Sequence, residues 1–204
     1  MFACCAWFLF PPFFTRSRKS IKGQLQIFAA QYGDDAKSFD HEKMSPKIVD
    51  LQELSDRCEK WRAAGKRLVA TNGCFDLLHV GHVRYLQAAR ALGDFLAVGL
   101  NADRSVRELK GSGRPIMTKT DRAEVLAALQ CVDLVTVFPE MRATRFLAAA
   151  RPAIYVKGGD YSSETLDEEE RTLLKEIGAQ IRLIPFEAGY STSRLIEQIC
   201  NSRK

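Results

Sequence analysis

From Ile48 onward the apolar residues fall into two alternating rhythms. Leu51, Leu54, Cys58 and Trp61 recur at three- and four-residue intervals, which predicts an amphipathic helix ending near Gly65. Lys66-Arg67-Leu68-Val69-Ala70 then has the length and flanks of a buried parallel strand, and Val83 to Leu92 returns to helical spacing before Gly93. Phe95 to Leu100, Val132 to Val137, Ile154 to Val156 and Gln180 to Ile184 read as four further strands. Helices are expected from Thr120 to Leu129 with Val125, Leu126 and Leu129 inward, across Phe146 to Ala150, and from Arg194 to Cys200. Another, from Thr165 to Ile177, turns Leu166, Leu173, Leu174 and Ile177 inward, and its acidic run Asp167 to Glu170 reads as a solvated first turn favoured by the helix dipole. Arg104 to Ile116, with Arg104, Arg107, Lys110 and Arg114 around two glycines, reads as a flexible basic loop able to close over a polyanion.

Strand and helix alternating five times predict an α/β fold, a Rossmann-like doubly wound parallel five-stranded sheet with helices on both faces. One domain, residues 44–204, follows an extension of residues 1–43 that does not read as part of the fold. Met1 to Phe14 is apolar but too short to span a bilayer, is broken by Pro11-Pro12, and precedes its basic residues, the reverse of a secretory signal. Three readings compete for it: upstream sequence ahead of a true start at Met44, a weak membrane-associating or targeting segment, or a disordered appendage. Residues 34–47 read as linker.

Composition narrows the class. The 204 residues are 46% hydrophobic and 27% charged, values of a soluble globular chain with a real core, which exclude a fibre or a disordered polymer. The net charge of +5 is uneven: residues 1–43 hold six Lys/Arg against four Asp/Glu, leaving 24 against 21 for the rest. That excess suits phosphorylated small molecules and is too small for a nucleic-acid surface. The six cysteines (Cys4, Cys5, Cys58, Cys74, Cys131, Cys200) have no zinc-site spacing. Cys74, Cys131 and Cys200 sit in apolar patterns and read as small buried hydrophobes in a reducing, cytoplasmic setting.

The chemistry concentrates in Thr71-Asn72-Gly73-Cys74-Phe75-Asp76-Leu77-Leu78-His79-Val80-Gly81-His82, a strand-to-helix turn. Two imidazoles three positions apart, with a glycine between them, can face one ligand while the backbone lets it come close. A helix N-terminus already favours anions through its free N–H groups and dipole, so the natural guest is a phosphate. Asn101-Ala102-Asp103 opens the next segment at a strand's carboxyl end, where open parallel sheets place ligands. The dinucleotide fingerprint G-x-G-x-x-G, the phosphate loop G-x-x-x-x-G-K-[ST] and the metalloprotease H-E-x-x-H are all absent.

The T-N-G-C-F-D-L-L-H-V-G-H stretch resembles the signature of the H-x-G-H nucleotidyltransferase superfamily. Lys110-Gly111-Ser112-Gly113-Arg114-Pro115, Val156-Lys157-Gly158-Gly159-Asp160-Tyr161 and Gly189-Tyr190-Ser191-Thr192-Ser193 follow at family spacing. From about Met44 to the C-terminus the chain most resembles the adenylyltransferase half of bacterial ADP-heptose synthases. The resemblance implies ATP and D-glycero-β-D-manno-heptose 1-phosphate as substrates, with His79, His82 and Lys110 catalytic. It assigns Asn72, Gly73, Cys74, Phe75, Gly81, Arg114, Ser191, Thr192 and Ser193 to nucleotide and phosphate binding. Asp76, Asp103, Lys157, Gly158 and Asp160 are candidates for substrate or base contacts. Mg²⁺ is expected with the ATP, without a dedicated cage. A separate heptose kinase would supply the acceptor, since the chain has no room for one, and a homodimer is expected, with no nucleic-acid partner and no integral membrane span. The alternatives are a cytidylyltransferase for glycerol 3-phosphate or phosphoethanolamine, a flavin adenylyltransferase, and a non-catalytic nucleotide-binding or membrane-associated module.

Overall fold

The computed structural model describes residues 45–159, 166–185 and 189–202. The expectations for residues 1–43, for a start at Met44 and for Asp160 lie outside these residues. The first helix, α1 (Leu51–Ala63), is capped by Asp50, whose carboxylate accepts from the Glu53 N–H at 2.8 Å. It buries Leu54 and Cys58, and Trp61 stacks on Phe95 with ring centroids 3.8 Å apart. Gly65 follows at φ +70°, a left-handed turn that glycine adopts without a Cβ penalty.

β1 (Leu68–Gly73) is the middle strand, pairing in parallel with β2 (Phe95–Asn101) on one side and β4 (Ile154–Gly158) on the other. β3 (Leu134–Phe138) and β5 (Gln180–Ile184) complete a five-stranded parallel sheet of order β3-β2-β1-β4-β5. The helices between them are α2 (Val80–Arg90), α3 (Asp103–Lys110), α4 (Lys119–Ala127), α5 (Thr144–Ala150), α6 (Glu168–Glu176) and, last, α7 (Thr192–Asn201). Alternate strand residues point to opposite faces and build two cores. Leu68, Ala70, Ala97, Leu134 and Tyr155 pack with α1, α5 and α6, while Val69, Leu96, Val98, Val135 and Val156 pack with α2 and α4. The strand order reverses between β1 and β4, so the crevice outside their carboxyl ends is where this topology offers a ligand site.

Several expectations are corrected. β1 runs through Thr71, Asn72 and Gly73, which pair with Val98, Gly99 and Leu100, so the signature opens as strand and only then turns. α2 starts at Val80, not Val83, which carries Gly81 and His82 into its first turn. The basic loop is shorter than expected, because Asp103 to Lys110 is helical. That helix buries only Ser105 and Val106, so a hydrophobic rhythm could not reveal it.

In α4 the buried positions are Arg122, Ala123, Leu126 and Ala127, and Val125 is 40% exposed. In α6 the acidic run is not wholly solvated: Asp167 is the N-cap, but Glu170 is buried in register with Leu173, Leu174 and Ile177. Among the described cysteines Cys58 is the buried one, Cys74 and Cys131 are half-buried and Cys200 is exposed. No helix among the described residues is long and apolar enough to cross a membrane.

Gly99 at the middle of β2 lets α5 approach: a Cβ there would lie 2.8 Å from the Phe146 ring. Gly99→Ala is therefore expected to cost about 1–3 kcal/mol through overpacking, read as a lower urea midpoint with an unchanged slope. An unshifted midpoint would contradict this packing.

Candidate active site

The turn between β1 and α2 brings two histidines onto one helix end. His79 is the N-cap of α2, with extended backbone at φ −137° and ψ 170°, and His82 lies one turn in. Their rings stack with centroids 3.9 Å apart. Two imidazolium cations that close would repel strongly, so the pair is suited to neutral rings. Burial pushes the His82 pKa down to about 4, helped by His79 and Lys110, and burial lowers that of His79 as well. The His79 backbone N–H donates to His82 Nδ1 at 3.4 Å. An accepting Nδ1 carries no proton, so neutral His82 holds its proton on Nε2, the nitrogen left for a ligand. His79 Nδ1 is buried and has no hydrogen-bond partner among the described residues.

The glycine between the two makes room for their packing. A Cβ on Gly81 would sit 3.0 Å from both His79 Nδ1 and Tyr190 Cβ. Tyr190 reaches in from the last loop and stacks on His79 at 6.3 Å between centroids. Beside it, Thr192 Oγ1 donates to the Leu77 carbonyl at 3.4 Å, docking the start of α7 on the phosphate loop. Ser191 caps α7 by accepting from the Arg194 N–H at 3.2 Å, while Ser193 stands exposed in the first turn. In the loop itself Phe75 holds a left-handed φ of +42°, a strained conformation worth about 1–3 kcal/mol for a non-glycine residue. Its ring meets His82 edge-on at 5.5 Å.

Lys110, at the end of α3, lies close enough to act electrostatically on both His82 and Cys74. Burial nevertheless raises the Cys74 pKa, which keeps it a thiol and argues against a nucleophilic role. Asn72 Oδ1 accepts from Tyr155 Oη at 2.5 Å and Lys157 Nζ at 2.8 Å, so β1 and β4 are cross-linked at their carboxyl ends, where Gly158 closes β4.

Two of the candidate carboxylates are committed to arginines. Asp76 receives the Arg114 guanidinium on one oxygen and the backbone N–H groups of Ile116 (2.7 Å) and Met117 (3.2 Å) on the other. Asp76 therefore anchors the 111–117 loop, and Arg114 is held at the rim through its Nε. Asp103 accepts from Arg122 at 2.7 Å. No cluster of His, Cys, Asp or Glu suited to a metal occurs among the described residues.

Sequence reasoning missed Arg122, which is 1% exposed. Besides Asp103, it donates to the carbonyls of Cys74 (2.5 Å), Asn101 (2.9 Å) and Met117 (3.1 Å). It ties the phosphate loop, the end of β2 and the basic loop to one cation. The available signal was its place one turn before Leu126 on the apolar face of α4, where a charge needs partners.

A parallel sheet with helices on both faces, and a paired-histidine helix end at its switch point, define the α/β nucleotidyltransferase class. Residues 70–198 match the family model described as cytidylyltransferase-like, and the chain belongs to that family. It is 48% identical over 177 residues to the bifunctional protein HldE of Citrifermentans bemidjiense, covering 87% of this chain and 35% of that protein. With the bifunctional protein HldE of Geobacter sulfurreducens it shares 45% over 161 residues, 79% of this chain and 32% of that one. The chain thus spans about a third of the length of the curated relatives it matches. Among solved structures, a lipopolysaccharide core biosynthesis protein from Thermoplasma volcanium superposes with a TM-score of 0.50 at 27% identity, covering 60% of this chain and 98% of that one. Pantoate-beta-alanine ligase from Francisella tularensis, at TM-score 0.51 and 13% identity over 78% of this chain and 77% of that one, shares the fold. The family resemblance read from the motifs holds, and the domain is a nucleotidyltransferase.

Two outcomes follow from this geometry. Arg122→Leu is expected to lower stability by roughly 3 kcal/mol, the low end for breaking a buried pair, because the Asp103 side chain keeps 29% exposure; equilibrium denaturation reads the loss. The second concerns pH. The folded pKa of His82 lies below its ordinary 6.5, so protons bind preferentially to the unfolded chain. The stability that neutral His82 contributes is full above pH 6.5 and is lost as pH falls toward about 4. His82→Gln should flatten that slope in a pH series of thermal melts, and an unchanged slope would refute the buried neutral imidazole.

Proposed function

We propose that this domain transfers the adenylyl group of ATP to a sugar 1-phosphate, D-glycero-β-D-manno-heptose 1-phosphate, releasing pyrophosphate and forming ADP-heptose. The observation that carries the reading is the neutral, stacked His79/His82 pair at a helix N-terminus beside Lys110. The choice of acceptor and donor rests on the Lys157-Gly158-Gly159-Asp160-Tyr161 segment and on the likeness to HldE proteins.

In this reaction an oxygen of the acceptor phosphate attacks the α-phosphorus in line. A new P–O bond forms as the bond to the β-phosphate oxygen breaks, and pyrophosphate leaves with that electron pair. A phosphate monoester is already nucleophilic at neutral pH, so the protein's task is alignment and the absorption of charge. His82 Nε2–H and the His79 ring meet the α- and β-phosphates as charge builds. Lys110 neutralises the outer phosphates, Arg114 guards the rim, and the hydroxyls of Ser191, Thr192 and Ser193 take the departing pyrophosphate. The backbone N–H groups of Gly73 to Phe75 cradle the α-phosphate. Mg²⁺ enters as the counter-ion of the triphosphate, and no step is assigned to a protein-held metal. A separate heptose kinase would supply the acceptor.

His79→Ala and His82→Ala should each lower turnover by ~10²–10³, the usual loss for one charge-stabilising donor, with circular dichroism unchanged. Pyrophosphate release assayed for ATP and CTP against heptose 1-phosphate, glycerol 3-phosphate and phosphoethanolamine fixes the substrates. Release with ATP and heptose 1-phosphate alone is expected; release with CTP and an alcohol phosphate would refute the substrate assignment.

A further inference from the structure

One buried acid belongs to no role given so far. Glu170, in the first turn of α6, is 5% exposed. Its Oε1 accepts from the Ala143 N–H at 2.7 Å, just before α5. Its Oε2 lies 3.4 Å from Tyr155 Oη, whose one proton goes to the nearer Asn72 oxygen, and 3.9 Å from Lys157 Nζ. Both of those donors also reach Asn72 Oδ1, at 2.5 and 2.8 Å. Glu170 is thus joined through two side chains of β4 to the residue that heads the phosphate loop.

The chemistry of the donors fixes the Asn72 amide. An ammonium can only donate, so the Asn72 atom 2.8 Å from Lys157 must be the carbonyl oxygen. With Tyr155 as its second donor, that oxygen's two lone pairs are used. That assignment leaves the Nδ2 end of the planar amide as a donor not used by either β4 side chain. A buried carboxylate is costly unless it is paired, and this one is kept where its charge steadies a lysine beside the crevice.

We infer that Glu170 is a positioning residue for nucleotidyl transfer, acting through Lys157 and Tyr155 to present the Asn72 NH₂ as a phosphate donor. The inference deepens the proposed function and rests on it for the identity of the anion. Glu170 itself touches no reacting atom. It links the segment before α5 to β4 and makes the setting of Asn72 depend on the packing of α6.

Glu170→Gln keeps the shape and the acceptor for the Ala143 N–H while removing the charge. Among the described residues, the titratable groups facing Lys157 include Glu170 from α6, Tyr155 from its own strand and Cys74 from the phosphate loop. Burial lowers the Lys157 pKa and Glu170 raises it, so without the carboxylate Lys157 deprotonates at lower pH. Turnover should fall ~10-fold, less than the ~10²–10³ of losing a donor outright, and the alkaline limb of its pH profile should move to lower pH. In an Asn72→Ala background, Glu170→Gln should add no further loss, because the two act as one unit. An unmoved limb, or losses that multiply, would overturn the inference.

NMR titration of the Lys157 side-chain carbons and the Asn72 NH₂ resonances reads the same network without turnover. Both should shift in Glu170→Gln and in Tyr155→Phe, the latter guarding against a misfolded first variant. Unshifted resonances would sink the network. A wild-type chain that shows these shifts upon substitution yet releases no pyrophosphate would refute the transferase reading alone.

Discussion

The guanidinium of Arg122 is the interaction on which the rest of the site depends. The carbonyls of buried Asn101 and half-buried Cys74 and Met117, with the Asp103 carboxylate, converge on it. Main-chain carbonyls at a strand end cannot be left unpaired without cost, and a single planar cation satisfies them together. The loop after β1 thereby acquires a fixed position relative to the end of β2, and the strained Phe75 backbone is held in place by its surroundings. Asp76 repeats the device in the opposite sense, collecting Arg114 and two backbone N–H groups to pin the basic loop.

On that frame the electrostatics are those of a trap for a polyanion. The histidines are kept neutral by burial and the Cys74 thiol is kept protonated, so the site's mobile positive charge sits on Lys110 at the rim. Neutral imidazoles cost less to hold side by side than charged ones, yet each can donate a hydrogen bond or accept a proton as negative charge arrives. The helix N-terminus adds a fixed dipole in the same direction.

Much of this was legible in the residues. The strand rhythm gave all five strands and their parallel arrangement, because each central strand buries both faces and reads as a continuous apolar run. The T-N-G-C-F-D-L-L-H-V-G-H stretch located the turn because its residue types are tied to a local backbone task. What escaped was charge in buried positions. Arg122 drew no notice and Glu170 was read as solvated because periodicity counts apolar residues, while their burial is decided by partners as far as 48 and 27 residues away. The short α3 escaped for the related reason that its inward face holds only Ser105 and Val106. The ion pairs of Asp76 and Asp103 with arginines of other segments left no mark on local spacing.

The central claim is that the neutral His79/His82 pair receives the phosphates of a nucleoside triphosphate. The most direct measurement is the ¹⁵N spectrum of the two imidazoles as a non-hydrolysable ATP analogue is added at neutral pH. The account predicts neutral rings before addition, with His82 protonated on Nε2, and displacement of both histidines' signals on binding as Nε2–H engages phosphate. Signals of charged rings in the free chain, or binding that leaves both histidines unperturbed, would contradict it.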